Sequence, residues 1–188
     1  MVAKKIIFIH GYTASSQADW YPNIKPELDK LGADYSIPDL PGGTHPHSRE
    51  WLEIIDKEVK SATKPIILVG HSLGTRAALL YLDEFEPKVD TVLLIAAFDN
   101  NWEVNRKRRD EHYADFFEYS LDLEKIKKLA KQFIVMHSKD DSSIDYSQGL
   151  EISKELGAKL ITYEDRGHFS APENYPYVLD ALKRILNA

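Results

Sequence analysis

The chain of 188 residues contains no cysteine. That excludes disulfides, thiolate metal sites and a cysteine nucleophile, and it suits a reducing compartment. Long apolar runs are missing as well. The run Ile6-Ile7-Phe8-Ile9 follows Lys4 and Lys5 but is far too short for a signal-peptide core, and no other stretch could span a bilayer. The expectation is a cytoplasmic protein with no membrane partner. Positive charge is outnumbered: 24 Lys and Arg against 30 Asp and Glu give a formal net charge of −6, so phosphate backbones are repelled on average and nucleic acid is not an expected partner. The one basic cluster, Arg106-Lys107-Arg108-Arg109, is followed at once by Asp110 and Glu111 and reads as a solvated face. A complete metal-ligand set is absent too. His45-Pro46-His47 has no acidic partner at a recognisable distance, so neither a metal nor any other cofactor is expected.

Repeats and low-complexity tracts are also lacking. What remains is an ordinary globular composition, 43% hydrophobic, over a length that suits one domain spanning 1–188. Short apolar runs bounded by turn residues alternate with longer amphipathic segments. Strands are predicted at 6–9, 34–37, 66–70, 91–97, 133–137 and 159–163. Helices are predicted at 20–31, 48–61, 75–85, 146–156 and 175–186. Pro26 lies awkwardly far into the first, which brings its start nearer Asn23, and Ser48 is the expected cap of the second. Alternation of this kind gives right-handed crossovers and a mostly parallel sheet covered by helices on both faces. With the first strand central, the order is 2-1-3-4-5-6. A topological switch point then falls between strands one and three, where ligands bind beyond the carboxyl ends. Residues 98–131 break the rhythm with Phe98, Trp102, Tyr113, Phe116 and Phe117 set among charges. They are too few for a domain and amount at most to a small cap or a decorated crossover.

Gly70-His71-Ser72-Leu73-Gly74 matches G-x-S-x-G at the end of the strongest strand and directly before a helix. A serine that projects above a sheet needs a tight, strained strand-to-helix turn, and side chains two positions to either side would collide with the adjoining elements. Its hydroxyl is a poor nucleophile until a base takes the proton. In this arrangement the order along the chain is serine, acid, histidine. His10, His45, His47 and His71 fail it, His112 lies in the 98–131 segment, and His137 ends a predicted strand with no carboxylate-bearing loop before it, which leaves His168. The acid falls on the loop after the fifth strand, where Asp140 and Asp141 are adjacent and Asp145 is a third candidate. Spacing alone leaves that choice open. Oxyanion donors are expected from the backbone N–H of Leu73, at a helix start, and of Tyr12, in the loop after the first strand. His10, Trp20, His45, Phe98 and Trp102 are placed around the substrate pocket by loop position alone.

Ile9-His10-Gly11-Tyr12, a tryptophan soon after, Gly-His-Ser-Leu-Gly, Ser-Lys-Asp-Asp and Gly-His-Phe come in that order. The ordered set resembles the small serine hydrolases related to retinoblastoma-binding protein nine and its bacterial relatives, over nearly the whole chain. The resemblance implies a three-layer α/β-hydrolase fold with a reduced sheet and at most a minimal cap, and it implies Asp141 as the acid. The Leu-x-Cys-x-Glu motif through which the mammalian member binds the retinoblastoma protein is impossible without cysteine, so that interaction is not implied. The expectation is therefore a hydrolase of small carboxylic esters or amides. Its rival is a catalytically idle fold of the same kind serving as a binding module.

Overall fold

The computed structural model describes residues 3–108 and 111–187. Arg109 and Asp110, which complete the basic cluster and its acidic neighbour, lie outside the described residues. Six strands, β1 (Lys5–Ile9), β2 (Asp34–Ser36), β3 (Ile66–His71), β4 (Val89–Ile95), β5 (Ala130–Ser138) and β6 (Lys159–Tyr163), form one sheet in the order β2-β1-β3-β4-β5-β6. Every pairing is parallel. This is an α/β-hydrolase architecture with the switch point between β1 and β3.

The central strands are apolar almost throughout because both of their faces are covered. Ile7, Ile9, Leu68, Val92, Leu94 and Val135 pack on one face against α2 (Ser48–Ser61), α3 (Leu73–Phe85) and α6 (Tyr146–Leu156). Ile6, Phe8, Val69, Leu93, Ile95 and Met136 pack on the other against α1 (Tyr21–Lys30) and α7 (Tyr175–Leu186). Successive side chains alternate between the two cores, as the pleat requires.

Two helix starts differ from the sequence expectation. The first helix begins at Tyr21 with a proline in its opening turn, and it runs through Pro26 unbroken. Pro26 is exposed, so solvent can take the carbonyl that loses its intrahelical donor. The second helix is not capped by the side chain of Ser48. Both the backbone N–H and the hydroxyl of Ser48 donate to Asp115 Oδ2, at 2.7 and 3.1 Å. A distant carboxylate thus satisfies the helix N-terminus.

Asp115 belongs to the 98–131 segment, which forms an elaborated crossover from β4 to β5. It holds α4 (Trp102–Arg108), a short 3-10 segment (Glu111–Phe117) and α5 (Leu123–Ile126). The buried guanidinium of Arg76, on α3, fastens it. Arg76 donates to Phe116 O at 2.8 Å, Tyr119 O at 2.6 Å and Asn100 Oδ1 at 3.2 Å, and it lies 5.1 Å from the Phe117 ring centroid. Burial lowers its pKa to about 10, so the group stays charged. Phe116 and Phe117 are wholly buried in the main core, which makes the segment a packed part of the fold.

Candidate active site

Ser72 sits between β3 and α3 with φ 52° and ψ −123°, a conformation that costs energy for a residue bearing a Cβ. The turn is held from both ends. Ser72 N donates to Ile95 O at 2.9 Å, and Ser72 O accepts from Thr75 N at 2.9 Å and Thr75 Oγ1 at 2.7 Å. The flanking glycines are steric necessities. A Cβ on Gly70 would fall 2.6 Å from Gly74 O, and one on Gly74 would run into the carbonyl of Ile9.

The loop after β6 carries His168 to the same end of the sheet. Arg166 N donates to Ser138 Oγ at 2.9 Å, Gly167 N to Asp140 Oδ1 at 2.9 Å, and Asn174 Nδ2 to Arg166 O at 3.0 Å. His71 Nε2 donates to His168 O at 2.8 Å. Phe169 follows with φ 59° and a fully buried ring, which pins the loop into the core beneath.

These anchors bring three side chains into one line. His168 Nε2 lies 2.8 Å from Ser72 Oγ, and His168 Nδ1 lies 2.8 Å from Asp141 Oδ2. Asp141 Oδ1 accepts the backbone N–H groups of Ser143 and Ile144 at 2.8 and 2.9 Å. Nε2 of the buried His137 lies 3.4 Å from Asp141 Oδ2 and donates to Ile144 O at 3.0 Å. Burial alone would raise the Asp141 pKa, but His137, His168 and the Ile144 N–H outweigh it. They hold the carboxyl well below its ordinary range. Burial pushes His168 below its ordinary value, against the raising influence of Asp141. A neutral imidazole whose Nδ1–H faces a fixed carboxylate leaves Nε2 free to accept a proton from the serine hydroxyl.

Asp140 has a different task. Its Oδ1 accepts from Ser138 Oγ at 2.6 Å as well as from Gly167 N, and these bonds lower its pKa. It ties the loop after β5 to the loop that carries His168. Leu73 N, in the first turn of α3, and Tyr12 N, after β1, enter no hydrogen bond among the described residues. Both remain available to an oxyanion. Tyr12 is braced by its hydroxyl, which donates to Thr44 O at 2.9 Å, and by the Tyr113 ring at 4.7 Å between centroids.

A cleft of about 210 Å³ opens over Ser72 and His168, walled by Gly11, Tyr12, Thr13, Asp19, His71 and Ser170 among others. The profile of the family described as serine hydrolase matches residues 6–184. The chain belongs to that family. It is 29% identical to YdeN of Bacillus subtilis (strain 168), over 96% of this chain and 95% of that protein. It is 26% identical to serine hydrolase RBBP9 of Rattus norvegicus, over 82% and 80% of the two chains. The crystal structure of the ydeN gene product superposes with a TM-score of 0.86, covering 99% of this chain and all of that one at 28% identity. Polyneuridine aldehyde esterase shares the fold at a TM-score of 0.77 and 14% identity, over 97% and 99% of the chains.

Of the residues placed around the pocket from sequence, none of the five forms the walls of this cleft. Trp20 is wholly buried on the far side of the sheet, edge-on to Phe8. It serves the core, because β1 presents Phe8 to that face and an indole fills the space beside it. His10 is buried too. Its Nδ1 donates to Gly11 O at 2.9 Å and its Nε2 accepts from Leu40 N at 2.9 Å, so the ring is spent on fixing two loops, and burial lowers its pKa. Phe98 packs on Phe117 within the core. Trp102 is half-buried on α4, and His45 is exposed with its ring 4.5 Å from that of His112. Sequence reading missed Asp19 and His71 in the cleft and Ser138 and Asn174 behind it. Only His71 carried a local signal, as the neighbour of Ser72.

Proposed function

We propose that this serine hydrolase cleaves small carboxylic esters or amides through an acyl-enzyme on Ser72. His168 is the base that takes the hydroxyl proton and returns it to the leaving group. Asp141 keeps the imidazole in the Nδ1–H tautomer and stabilises the imidazolium. The N–H groups of Leu73 and Tyr12 receive the developing oxyanion, and water then releases the acyl group. The unbroken line from Ser72 Oγ through His168 to Asp141, two contacts of 2.8 Å, carries the proposal. The chemistry calls for no metal or cofactor. Among the described residues no group of three His, Asp or Glu side chains could hold a metal ion, and no helix is long and apolar enough to cross a membrane. We take the site of action to be the cytoplasm and the partner to be a small molecule, with no role for nucleic acid.

Labelling with a fluorophosphonate probe, followed by peptide mapping, tests the assignment. One adduct on Ser72, lost in His168→Ala, is expected, together with loss of short-chain ester hydrolysis in Ser72→Ala. Absence of an adduct on folded protein would favour an idle fold that acts as a binding module.

A further inference from the structure

The cleft over Ser72 holds a carboxylate that the proposed chemistry leaves unused. Asp19 is on its wall, with a side chain only 18% exposed. Among the described residues it accepts no hydrogen bond and has no Lys or Arg within ion-pair distance. The nearest basic group is His71, whose Nδ1 is 3.6 Å from Asp19 Oδ2. His71 Nε2 must carry a proton, because it faces the carbonyl of His168, which can only accept. In the neutral ring Nδ1 is therefore an acceptor as well, and it is buried with no partner. In that tautomer two acceptors face each other beside the reacting serine, and neither has a protein donor among the described residues. A carboxylate on a cleft wall is solvated by water until a ligand covers it, and covering it is costly unless the ligand supplies N–H groups and positive charge.

Among the described residues no Lys or Arg lines the rest of the cleft to supply that charge. Gly11, Ala14 and Ala18 contribute no polar side chain, and Thr13 and Ser170 contribute only hydroxyls. A neutral alkyl group pressed against Asp19 would strip water from the carboxylate and replace it with nothing. An ammonium would replace that water with a charge-assisted hydrogen bond.

We propose that Asp19, backed by His71, is a specificity-determining residue that binds a cationic amine of the substrate beside the reacting carbonyl. The protein then takes ammonium-bearing esters or amides ahead of their neutral isosteres. The inference deepens the serine-hydrolase reading and rests on it for the position of that carbonyl. A cleft of about 210 Å³ sets the scale of the group bound there, since a cavity of about 150 Å³ already holds a benzene ring.

Binding to the Ser72→Ala protein carries the test, because it needs no turnover. Two isosteric pairs are titrated by calorimetry. Alanine methyl ester against methyl isobutyrate places the charge on the acyl side. Dimethylaminoethyl acetate against isopentyl acetate places it on the alcohol side. The cationic member of at least one pair should bind about tenfold tighter or better, and the pair that responds identifies the side. Adding Asp19→Asn should erase the preference while neutral affinities stay within about twofold. Should that variant lose its cooperative thermal melt, Asp19→Gly replaces it, since glycine also accepts the φ of 51° found here. Equal affinities within both pairs, or a preference that survives loss of the carboxylate, would overturn the proposal. The former is the result if His71 is an imidazolium that already neutralises Asp19. Probe labelling of Ser72 in the unmodified protein separates the two readings. An amine preference without an adduct leaves Asp19 standing and removes Ser72, and an adduct without a preference does the reverse.

Discussion

Asp141 and His168, which lie 27 residues apart in the chain, meet through a single 2.8 Å contact between Oδ2 and Nδ1. The other carboxylate oxygen is held by two backbone N–H groups of its own loop. One oxygen faces the histidine and the other fixes the carboxylate against rotation. Asp140, one residue earlier, points the other way and clasps the histidine loop by its backbone. The turn at residues 139–140, closed by Asp141 N on Ser138 O at 3.3 Å, sends the two adjacent side chains different ways, so only one of them reaches the ring.

The two aspartates should therefore separate cleanly on substitution. Asp141→Asn is expected to lower kcat by about 10³–10⁴-fold, because an amide no longer enforces the tautomer or stabilises the imidazolium. Asp140→Asn is expected to cost roughly tenfold through slight misplacement of His168. Steady-state hydrolysis of one short-chain ester by both variants is sufficient. Equal losses would contradict this division of labour.

Acid should remove activity before it unfolds the protein. His168 must be neutral to accept the proton, and its pKa is lowered by burial, so log kcat/KM should rise with pH to a plateau with its midpoint below 6.5. Asp141 raises the His168 pKa, so in Asp141→Asn the midpoint should move lower still. Stability has the same sign. The depressed carboxyl of Asp141 contributes stability that is present above the unfolded carboxylate value of about 3.9 and lost as pH falls. The depressed His168 adds a loss beginning near the unfolded histidine value of about 6.5. A pH–rate profile with a midpoint above 7 would refute the account of His168.

Arg76 should matter for stability far more than its place on a helix suggests. Replacement by alanine leaves the carbonyls of Phe116 and Tyr119 without their donor and opens space against the Phe117 ring. The expected loss is about 3 kcal/mol in urea unfolding. Asp115→Ala, which removes only the acceptor at the start of α2, should cost about 1 kcal/mol. A change within error for Arg76→Ala would mean that the crossover is held by its apolar contacts alone.

Much of the fold was readable because its signals are local and periodic. The hearts of β3 and β4, residues 66–69 and 92–95, are apolar throughout, which in a chain of alternating elements means burial on both faces and a parallel sheet. The helix ends were less legible. Ser48 looked like a cap by residue type, yet the acceptor comes from Asp115, 67 positions away, and no local rule could find it. The pocket residues were least legible. Trp20 and His10 lie on loops at the correct end of the sheet, but whether a side chain turns into the cleft or the core depends on which neighbours fill the space first.

The sequence by itself determined the alternation of strands and helices and with it a parallel sheet, the strained turn at Ser72 between two obligatory glycines, and the eligibility of His168. These follow from hydrophobic period, from sterics within five residues, and from the order of elements. Spacing leaves Asp140 and Asp141 open and the family resemblance points to Asp141. Tertiary structure brings Asp141 to the ring, and it alone decided that the 98–131 segment is fastened by Arg76 and that Asp19 and His71 share the cleft. Each depends on the directions of side chains brought together from distant parts of the chain, and direction is fixed only once the loops have packed.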